Sequence, residues 1–89
     1  MARIVKPKQP PTRWHNGSVP LEQLTRDEQL AHALVVEYRD LTPSVERIMN
    51  ADLAVEQRVV ALTAFRDSLG RIGDPNRDPR IAIANAAAG

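Results

Sequence analysis

The 89-residue chain has no cysteine, and it carries only one Trp, one Tyr and one Phe. The first absence excludes disulfides, thiolate zinc sites and cysteine nucleophiles. The second leaves few large side chains to anchor a core or an interface. No window approaches the roughly 18 apolar residues that a membrane span requires. The opening Met1-Ala2-Arg3-Ile4-Val5-Lys6-Pro7 lacks the apolar run of a secretory signal. The expectation is a chain with no membrane partner, soluble and intracellular (cytoplasmic) or incorporated in a particle.

Catalytic groups are as scarce. The two histidines, His15 and His32, stand 17 positions apart with no pattern that joins them. Ser18 and Ser44 lack a nucleophile elbow. Gly70-Arg71-Ile72-Gly73 lacks the remainder of a phosphate loop and reads as a helix stop. No His or acidic pair has a metal-ligand spacing such as His-x-x-x-His, and no segment resembles a calcium loop. Asp27, Glu28, Glu37 and Asp40 read as helix caps and a hydrated face. The chain is therefore expected not to be an enzyme and to use no cofactor or metal.

What the sequence does have is segregated charge. Residues 1–20 carry Arg3, Lys6, Lys8 and Arg13 and no acid. Residues 21–70 carry nine acids against five arginines, and residues 71–89 carry Arg71, Arg77 and Arg80 against Asp74 and Asp78. A formal net charge of +1 thus conceals a basic arm joined to an acidic middle.

The arm holds Pro7, Pro10, Pro11 and Pro20. Proline fixes φ and disfavours helix in the residue before it, so residues 6–11 read as polyproline II, with a turn at Asn16-Gly17. Thr25-Arg26-Asp27-Glu28 is a capping box that opens the first helix. Leu30, Ala31, Leu34, Val35, Tyr38 and Leu41 form its apolar face at 3.6-residue spacing. Val36 falls on the opposite side, among Gln29, His32 and Arg39, while Leu21 and Leu24 are placed to staple the entry.

Thr42-Pro43 ends that helix and starts a second, in which Val45, Ile48 and Met49 make a short stripe. Asn50-Ala51-Asp52 reads as a break, with Asp52 capping a third helix from Leu53 to Leu69; the alternative is one continuous helix from Pro43 to Leu69. The third helix is apolar on two sides: Leu53, Val60 and Ala64 on one, and Val55, Val59, Leu62 and Leu69, with Phe65 beside them, on the other. A helix of that kind is ordinarily buried all round. Beyond Gly70 the tandem Asp74-Pro75 and Asp78-Pro79 reads as turns and extended chain. The period-two run Arg80-Ile-Ala-Ile-Ala84 reads as a short strand, and residues 85–89 as a small-residue tail.

The predicted fold is all-α: a small three-helix body over residues 21–70, with an extended basic N-terminal arm (1–20) and an extended C-terminal arm (71–89). Leu34, Tyr38 and Ile48 are its predicted internal core. A body of roughly 50 residues buries too little surface to cover both sides of its longest helix. The expected function is accordingly a noncatalytic assembly or interaction subunit that self-associates or joins a larger complex. Such a chain would suit a viral-particle (virion) accessory protein or an auxiliary subunit of a cellular machine. The predicted protein interface is Val36, Val55, Val59, Leu62, Phe65 and Leu69, with Arg13, Trp14, Arg77 and Arg80 tying the arms to neighbours. Opposite charges would let the arm of one subunit lie on the acidic helices of the next. Two alternatives remain open. One is a small nucleic-acid-binding module that uses Arg3, Lys6, Lys8 and Arg13 on phosphates, opposed by the acidic middle. The other is a small inhibitor docking on a host protein.

Overall fold

In a computed structural model, which describes residues 13–15 and 19–89, helix α1 spans Arg26–Glu37. Its start is where the capping sequence places it, although only half of the reciprocal box forms. The Glu28 carboxylate accepts the Thr25 N–H at 3.0 Å, while the Thr25 hydroxyl turns to Asp27 and Glu28. Ahead of it lies a 3-10 turn, Leu21–Gln23, held down by the Gln29 amide, which donates to the carbonyls of Leu21 (2.9 Å) and Leu24 (3.2 Å).

A second 3-10 turn, Arg39–Leu41, leads into helix α2, Thr42–Met49, with Pro43 in its first turn where no intrahelical N–H is needed. Thr42 lies inside this helix and its hydroxyl donates back to the Arg39 carbonyl at 2.8 Å. The chain breaks over Asn50–Ala54, so α2 does not run on into helix α3, Val55–Ser68. The capping residue of α3 is Ala54 rather than the expected Asp52; the Gln57 side chain accepts the Ala54 N–H at 3.0 Å.

The C-terminal region departs most from expectation. It is not an extended arm: helix α4 spans Pro79–Ala88, so the body has four helices rather than three, and there is no strand among the described residues. Both Asp-Pro steps are helix starts. Asp74 accepts the Asn76 N–H at 2.9 Å and opens the 3-10 turn Pro75–Arg77; Asp78 accepts the Arg80 N–H at 3.0 Å and opens α4. In each case the side-chain oxygen caps an orphan donor, and the proline occupies the first position, where it has no N–H to lose. The alternating Ile-Ala run then follows the helix its N-cap begins, with Ala82 and Ala86 facing inward four residues apart. The backbone reversal before the Asp-Pro tandem falls at Gly73, with φ of 80°, not at Gly70.

The core is shared by all four helices: Leu34, Val35, Val45, Ile48, Leu62, Phe65, Ala82 and Ala86 are buried, and Tyr38 and Leu69 pack half-buried against them. α4 lies on α3 and also reaches α2. Along α3, Leu62 and Phe65 are buried, Val55, Val59 and Leu69 are half-buried, and Val60 is 56% exposed. A polar tie joins α1 to α3. The buried Asp27 carboxylate lies 3.4 Å from the Arg58 guanidinium, which also donates to the Ala51 carbonyl at 3.0 Å.

Candidate functional site

Arg13, Trp14 and His15 are folded onto the chain's own helices. The Arg13 guanidinium meets Glu28 in a two-pronged pair, Nε to Oε2 at 2.8 Å and Nη2 to Oε1 at 2.7 Å. That pairing, together with the Thr25 N–H, holds the Glu28 carboxyl down from its usual 4.5 to about 2, against the opposing effect of its partial burial. The Trp14 side chain is 0% exposed and belongs to the core. Its indole N–H is buried without an acceptor among the described residues. Within the chain, Arg13 and Trp14 thus meet α1 and the core, opposite charges and an aromatic anchor a short distance along one chain meeting at high effective concentration.

The histidines, which the sequence gives no reason to bring together, flank this docked segment. His32 Nδ1 lies 2.5 Å from the Trp14 carbonyl oxygen. A carbonyl only accepts, so Nδ1 carries the proton. His15 stacks edge-on against Trp14 with ring centroids 4.1 Å apart, and its Nε2 is 3.2 Å from Glu46 Oε2. Both rings line a cleft of about 510 Å³ together with Val35, Val36, Arg39 and Thr42. A second cleft, of about 480 Å³, is lined by Val36 and the chain from Glu37 to Leu41. Val36, which is 59% exposed, and Arg39 line both clefts.

Other predicted interface residues divide into two groups. Leu62 and Phe65 are fully enclosed by the chain's own core and present no surface. Val55, Val59 and Leu69 are half-buried, and Arg77 and Arg80 are exposed. Arg80 is paired with Asp78, with guanidinium-to-carboxylate distances of 3.0 and 3.2 Å that lower the Asp78 carboxyl pKa. Arg3, Lys6 and Lys8 lie outside the described residues, as does the polyproline segment. Of the possible phosphate-binding set, Arg13 is engaged by Glu28.

Among the described residues, no three His, Asp or Glu side chains gather as a metal site requires. No described helix is long and apolar enough to cross a membrane. The class defined is therefore an all-α, four-helix domain whose cleft carries two histidines, an arginine, a threonine hydroxyl and two valines. Compared with known proteins, the chain matches no family model, no curated protein and no solved structure.

Proposed function

We propose that this chain is a noncatalytic assembly subunit that works by self-association through an exposed surface on α1. The observation that carries the reading is the position of Val36. It is more than half exposed on the side of α1 that turns away from the core, and it lines both clefts. An aliphatic side chain on a surface is ordinary when solitary; one that lines two clefts is a surface that contact with another molecule would cover. Of the expected α3 surface, Leu62 and Phe65 are enclosed in the core, while Val55, Val59 and Leu69 are half-buried and Val60 is exposed.

The test is the mass of the purified full-length chain in solution, by sedimentation equilibrium over a range of concentrations, beside Val36→Glu. The subunit of 9.9 kDa should rise toward twice that mass with concentration, and the variant, equally helical, should stay at 9.9 kDa. A chain that remains a 9.9 kDa species at every concentration would sink the self-association reading.

A further inference from the structure

We draw no further inference here: the strongest candidate, the cleft lined by His15, His32, Val36, Arg39 and Thr42 on the outer side of α1, belongs to the site already described, and with acids beside its cations (Glu46 at His15, Glu37 and Asp40 at Arg39) nothing in the structure shows what covers it.

Discussion

Arg13 reaches across 15 positions to grip Glu28 with two hydrogen bonds of 2.7 and 2.8 Å, and Glu28 at the same time caps α1 through the Thr25 N–H. One carboxylate therefore ties the N-terminal segment to the start of a helix. The consequence can be read from pH. Glu28 has its pKa lowered in the fold from 4.5 to about 2, so its charged form stabilises the fold above about pH 4.5, and that contribution is lost as pH falls toward 2. Screening of the partly exposed pair limits it to about 1 kcal/mol. The melting temperature of Glu28→Gln should lie below that of the native chain at neutral pH, and the gap should close between pH 4.5 and 2. A gap that stays constant down to pH 2 would contradict the pairing.

Trp14 is the sole tryptophan, and its indole is enclosed. Fluorescence of the folded chain should be blue-shifted and resistant to quenching by iodide, reverting to the solvent-exposed maximum in denaturant. Trp14→Ala should cost about 3–5 kcal/mol, enough to unfold a small domain, whereas Trp14→Phe should retain the fold at lower stability. Emission typical of free indole in the native state would place the segment away from the core.

Leu62 and Phe65 distinguish a core from an interface. Leu62→Glu puts a charge where the chain has 0% exposure, so the variant should lose its cooperative melt and helical signal. If the two residues met a partner, the variant would instead be a well-folded smaller species.

Asp78 caps α4 through the Arg80 N–H. Asp78→Ala should lower stability, seen as a reduced denaturant midpoint with little change in slope. Asp78→Asn, which keeps the accepting oxygen, should recover most of the loss. Equal losses from Ala and Asn would argue that the cap is not the source of the effect.

Local rules made part of this fold legible. Thr25 and Glu28 mark the start of α1, Pro43 the start of α2 and Asn50–Asp52 the gap before α3 because each acts on its nearest backbone. The Asp-Pro steps were equally local, but aspartate followed by proline serves both turns and helix starts, and the Ile-Ala alternation that follows imitates a strand. An extended arm there leaves α3 with an uncovered side, and the sequence then points to other subunits for the cover. The cleft was beyond reach for a different reason. His32 and Arg39 share the side of Val36 by helical periodicity, but His15 joins them because Trp14 enters the core, and that insertion depends on packing between segments far apart in sequence. Val36 was legible as the lone aliphatic on the outer side of α1, since helical periodicity alone puts it there.

The central claim is that copies of this chain meet through α1. A dilution series of backbone amide NMR spectra tests it most directly, since each residue reports its own contact. The amides of His32, Val36, Arg39 and Thr42 should shift with concentration along one common binding curve, while those of Leu62 and Phe65 on α3 stay fixed. Shifts confined to α3, or spectra identical from the most dilute to the most concentrated sample, would contradict it.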